Sequence, residues 1–403
     1  MKFRLTGRIV LALLVSLAVG LGISACGSSF TLGFVYALAA RNNPGQIFAY
    51  KIDSDSGALT FTKDKVYPAG QLPVAAVVSP GQETGASNII TPYKISGSSV
   101  QMLYVVNNGD NTIINYAIGS DGKLFPQHTV NTAGTSPVAA AVDKAGKFLY
   151  VADTFAPGFS SSLPGPGQID VFAIGPDGSI PTTPTATVTA GLTPTGITVL
   201  PNGAFVYVVQ QGTQTIGAYS ADGSGALTPL ATNIHAGIQP FAIAADPTGR
   251  FVYATDSIQN LILGYVVQTA GDLVPMINGP FRTDLRPRGL VVDPRGKFLY
   301  TANFNANNVG AYAIDQTTGN PTAVTPSSNS TGAGPTCVAI EPATGRFVYI
   351  SNFIDGTITG AKLNNLTGVL VPLQNSPYGT GTIDTTCVAA VASGSHAVQN
   401  VLP

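Results

Sequence analysis

The densest concentration of reactive side chains in this chain is Arg282-Thr283-Asp284-Leu285-Arg286-Pro287-Arg288. A guanidinium is a permanently protonated fork of donors that matches a carboxylate or a phosphate. Arg286 and Arg288 are therefore candidates to hold an anionic ligand, and a salt bridge to Asp284 is the alternative use for them. The chain has three histidines, His128, His235 and His396. His128 falls in an outer-strand stretch and His396 in the tail. His235 precedes Ala236-Gly237-Ile238-Gln239-Pro240, so it and Gln239 could approach a site. Glu83 and Glu341 are the only glutamates. No histidine or cysteine pair has metal-ligand spacing, and neither a nucleophile elbow nor a phosphate-binding glycine loop occurs. Asp53-x-Asp55-x-Gly57 lacks the third acidic ligand and the closing glutamate of a calcium loop, and reads as a turn. The sequence thus implies no metal and no cofactor.

These side chains are carried on a repeated strand unit. Phe34-Val35-Tyr36, Met102-Leu103-Tyr104, Phe148-Leu149-Tyr150, Phe205-Val206-Tyr207, Phe251-Val252-Tyr253, Phe298-Leu299-Tyr300 and Phe347-Val348-Tyr349 are copies of one core. Around Tyr300 the unit reads as four short strands separated by Gly, Pro, Asn and Asp punctuation, which is the pattern of a propeller blade. The fold predicted is all-β: a seven-bladed β-propeller of four-stranded antiparallel blades. The first copy lacks its inner strand, and Thr386-Cys387-Val388-Ala389-Ala390-Val391 at the far end would supply it, closing the ring. Two insertions interrupt the period, Gly81 to Gln101 and Pro157 to Gly167, and the second would sit beside the mouth of the central channel.

Only 10% of the 403 residues are charged and the formal net charge is −1, which leaves no basic stripe for nucleic acid. Past the first 25 residues no apolar run reaches spanning length. Residues 1–25 combine a basic start (Lys2, Arg4, Arg8) with the apolar core Ile9 to Leu21, ahead of Ile23-Ser24-Ala25-Cys26. This resembles a bacterial lipobox. The resemblance implies cleavage before Cys26, lipidation of that cysteine, and export to the outer membrane or cell surface on a lipid anchor. Residues 26–30 would be a short tether and 31–403 the propeller. Cys337 and Cys387 occupy equivalent inner-strand positions of neighbouring blades. Export permits a disulfide, but equivalent side chains point the same way around a ring, so the pair reads as two small thiols rather than a bridge.

With the blades laid out, the chain resembles the lactonase-type, 6-phosphogluconolactonase-like family of seven-bladed propellers. The resemblance rests on the Asp-Pro-x-Gly-[Arg/Lys]-Phe-[Val/Leu]-Tyr segments at Asp246 to Tyr253 and Asp293 to Tyr300, and on turns such as Asp53 to Leu59 and Asn365 to Leu370. The tyrosine-centred strands are also similar to YVTN propellers. The resemblance implies an arginine, a histidine and a glutamate about the channel. Here Pro287-Arg288-Gly289 keeps the arginine and has glycine for the histidine, and Gln211 stands where the glutamate is expected. Three functions remain open. One is a binding scaffold for an envelope protein or glycan. The second is a lactone hydrolase acting on a small anionic lactone or sugar through Arg288, and the third a surface-array component.

Overall fold

The computed structural model describes residues 29–79, 82–83, 99–231 and 234–393. Residues 1–25, Cys26 and His396 lie outside these residues. Among the described residues every regular element is a strand. Apart from the short pair Gln82–Glu83 and Ser99–Val100, the strands form seven antiparallel blades arranged as a ring. Each runs from an inner strand at the axis to an outer strand at the rim; the sixth is Pro287–Val292, Phe298–Asn303, Asn308–Ile314 and Pro321–Ser330. In the fourth, fifth and seventh blades the outer strand is broken into two pieces that pair with the same third strand, a detail the repeat did not reveal.

Burial follows position in the blade. The second strand is fully buried along its length in blades two, five, six and seven, because neighbouring blades cover both of its faces. The outer strand Pro321–Ser330 is mostly exposed. Ring closure is as predicted: Thr385–Ala392 pairs antiparallel with Thr31–Ala39, with Tyr36 opposite Ala389.

The repeated aromatic core is a clasp between blades. Each copy meets a glycine in the turn between the third and fourth strands of the next blade, held at positive φ, for example 79° at Gly319. The aromatic before the tyrosine, or Met102 in the second blade, fills the space a Cβ there would take. The tyrosine hydroxyl donates to that glycine's carbonyl: Tyr253 to Gly319 at 2.6 Å, Tyr300 to Gly368 at 2.9 Å and Tyr349 to Gly57 at 2.8 Å. Tyr36, Tyr104 and Tyr207 make the same bond.

The turn acids are structural. Asp293 Oδ1 accepts from the amides of Lys297 and Phe298 at 2.6 and 2.8 Å. Glu341 accepts from the Arg346 amide at 2.7 Å, its extra methylene spanning a turn one residue longer.

The two cysteines correct the sequence reading: Cys337 and Cys387 are joined by a disulfide, with Cα atoms 5.0 Å apart. Inner strands converge on the axis, so equivalent positions on adjacent blades come within bridging distance although they point the same way around the ring. The Thr336 hydroxyl, donating to the Thr386 carbonyl at 2.8 Å, shows how close these two strands run.

Candidate ligand site at the channel mouth

All seven inner strands line a cavity of about 480 Å³ on the axis. Its upper rim is set by a repeated irregularity. In blades two to seven the inner strand carries a proline at or near its start, followed by a register shift, as between Pro287 and Gly289. A bulge re-aims the extra side chain. The rim positions are Val74, Val138, Thr195, Phe241, Arg288, Thr336 and, from the closing strand, Thr386. Arg288 is the one charged side chain in that ring.

Arg288 is half-buried and makes no ion pair among the described residues. Its guanidinium sits over the Phe304 ring at 4.1 Å and over Phe241 at 5.4 Å, distances at which an aromatic face attracts a cation. Burial, and then the neighbouring Arg286 charge, pull its pKa below the usual arginine value. Arg286 lies 5.8 Å from the Phe304 centroid, its backbone at φ 58°. Its amide donates to Asn260 Oδ1 at 2.7 Å. Two cations without acidic partners over one aromatic rim form a site that calls for an anion.

The other sequence candidates distribute differently. Asp284 is exposed and accepts from Asn308 Nδ2 at 2.7 Å, so it does not neutralise Arg288. Gln239 accepts from Ser257 Oγ at 2.9 Å and does not line the cavity. The Gln211 backbone N–H donates to the Thr193 carbonyl at 2.8 Å, and this residue too is outside the cavity wall. His235 is exposed, on the short outer strand Ile234–His235, and the structure does not bring it to the mouth. His128 is exposed on the outer strand of blade two. The amide-rich loops brace the ring: Asn111, Asn260 and Asn307 each accept, at 2.7 to 2.9 Å, from the amide preceding the next blade's inner-strand proline.

Sequence reasoning missed Phe304 and Phe353, whose centroids are 6.5 Å apart at the rim. A signal existed: they lie four residues after the clasp tyrosine, where the other blades have Ala40, Asn108, Thr154, Gln211 and Ser257. Gly289 admits no histidine without rearrangement, since a Cβ there would lie 2.6 Å from the Thr336 carbonyl oxygen.

Sequence and structure comparisons agree with this architecture. The family model described as lactonase, 7-bladed beta-propeller, matches residues 70–156 and 236–340. No protein of curated function matches the chain significantly in sequence. Among solved structures, a Bacteroides uniformis protein provisionally named 6-phosphogluconolactonase superposes with a TM-score of 0.70 at 16% identity, over 90% of this chain and 99% of that one. A periplasmic gluconolactonase of Pseudomonas aeruginosa gives 0.69 at 17%, over 90% and 100%. A Lactobacillus plantarum protein gives 0.70 at 20%, over 90% and 99%. At these identities the structural likeness carries the fold: the chain is a seven-bladed β-propeller, similar over the two matched segments to the lactonase family.

Proposed function

We propose that the mouth binds a small anionic ligand and that the chain hydrolyses a lactone there. The observation that carries this reading is Arg288, an arginine without an acidic partner at the rim of an otherwise uncharged cavity. In hydrolysis the water oxygen bonds to the acyl carbon, and the ring carbon–oxygen bond breaks. One water proton ends on the departing alkoxide, and the other leaves as the new carboxylic acid ionises. The guanidinium would stabilise the negative charge that builds on the acyl oxygen and would hold the carboxylate product. The structural neighbours named for lactone hydrolysis support the reaction class. The one described as periplasmic is in keeping with our further proposal that this chain is exported and lipid-anchored at Cys26. Fatty-acid labelling lost in Cys26→Ala is the expected result for the anchor, and unchanged labelling refutes it.

A second reading, a binding scaffold for an envelope protein or glycan, is favoured by one fact: no histidine or carboxylate is among the described residues that line the cavity. General-base catalysis would need one. A pH-stat assay over a panel of lactones separates the two readings. Turnover that falls at least 100-fold in Arg288→Ala, with the fold intact by circular dichroism, supports the hydrolase. Absence of turnover on every lactone leaves the scaffold.

A further inference from the structure

We infer that the ligand of this mouth is an apolar carboxylate, or the lactone of one, and not a polyhydroxylated sugar acid. This rests on the reading of Arg288 as the anion site and adds the chemistry of the ligand's body. Apart from Arg288 and three threonines, the side chains facing the cavity are apolar, with Val74, Val138, Ala242, Leu290 and Phe353 typical of them. The threonine hydroxyls are already donating to backbone carbonyls. Thr195 donates to Pro240 at 3.3 Å, Thr336 to Thr386 at 2.8 Å and Thr386 to Pro73 at 2.7 Å. The disulfide adds two more apolar atoms to the wall. Beyond the guanidinium, the side chains of the wall offer no free donor, and polar contact is left to the threonine oxygens, which can still accept, and to backbone groups at the inner-strand edges.

Such a wall discriminates by polarity. A ligand hydroxyl buried here without a partner lowers affinity by about tenfold or more. Each methylene moved from water onto the wall raises it about fourfold. The rim continues the apolar surface outward, since Phe304 and Ile354 both close on Gly334 and Ile354 is 53% exposed. A ligand with its carboxylate or acyl oxygen at Arg288 can therefore lay an apolar ring or chain against Phe241, Phe353 and the valines. The site couples one charge to an otherwise apolar pocket, an arrangement suited to few precisely placed polar groups on the ligand.

The test is isothermal titration calorimetry on the mature chain with three monocarboxylates of equal charge: hexanoate, phenylacetate and gluconate. Hexanoate and phenylacetate are expected to bind at least tenfold more tightly than gluconate. Arg288→Ala should weaken them at least tenfold and Arg288→Lys less. Phe353→Ala should weaken phenylacetate several-fold. Gluconate binding as tightly as the apolar acids, or no probe binding at all, overturns the inference. A pH-stat comparison of caprolactone with gluconolactone separates this inference from the catalytic reading. Selective binding without turnover supports it while defeating the hydrolase. Turnover confined to gluconolactone with tight gluconate binding does the reverse.

Discussion

At the scale of single residues, the chain's scarcity of charge makes each buried ionisable group informative. Besides Arg288, the pair that stands out is Asp153 and Asp170 in the third blade, both fully buried. Asp170 accepts from the Ala133 amide at 2.5 Å and from Gln168 Nε2 at 2.6 Å. Burial first, and then the Asp170 charge, raise the Asp153 pKa well above the usual carboxylate range, and burial raises Asp170 as well, so the pair holds a proton at neutral pH. The unfolded chain releases that proton near pH 4 and the folded chain only at a markedly higher pH. Between those values the native state holds more protons than the unfolded state, so this site's contribution to stability declines as pH rises. Asp153→Asn supplies the amide that Asn107, Asn303 and Asn352 already provide in other blades. Its stability relative to wild type is expected to improve steadily from pH 5 to pH 9, as read from thermal midpoints across that range. A constant difference at every pH would show that the proton is not held in the fold. The acid was visible in the sequence, but its partner was not. Asp170 sits on the next strand at a position filled by Phe48, Ile114, Leu263, Thr359 or glycine in other blades, and only the strand register brings the two together.

At the scale of the element, the clasp explains why the repeat has the residues it has. The tyrosine needs a hydroxyl because a buried glycine carbonyl awaits it, and the glycine needs to lack a Cβ because an aromatic ring or methionine occupies that space. Both halves were legible as separate repeats, the aromatic core and the Gly-containing turn. That they belong to adjacent blades was not, because the contact spans 68 residues for Tyr300 and Gly368. Tyr300→Phe should cost about 1 kcal/mol by removing one buried hydrogen bond. Gly368→Ala should cost about 2–4 kcal/mol, since it adds backbone strain at φ 75° to overlap with Phe298. The double variant should cost less than the sum, because both changes break the same clasp. Urea denaturation of the three variants measures this; strict additivity would mean that the two residues do not act together.

At the scale of the molecule, ring closure is both a strand exchange and a covalent link. Thr385–Ala392 completes the first blade, and the disulfide ties that strand to the inner strand of the seventh, Pro335–Ile340. Closing a loop between cysteines 50 residues apart stabilises by roughly 4 kcal/mol through the unfolded chain. The Cys337→Ala/Cys387→Ala variant is expected to lose stability on that scale, and reduction of the wild type should reproduce the loss. Equal denaturation midpoints with and without reductant would show that hydrogen bonding alone holds the seam. Sequence by itself determined the fold, the number of blades and the closing strand, because these follow from strand periodicity and turn chemistry repeated many times over. It also singled out Arg288, because a lone charge in a repeated uncharged position needs no coordinates to be noticed. Only the tertiary structure decided that Phe241 and Phe304 flank that charge with Phe353 in the same cavity wall, that Asp284 and His235 stand apart from it, and that the two cysteines meet. Those facts depend on distances between residues far apart in the chain, which are set by the convergence of seven inner strands on one axis.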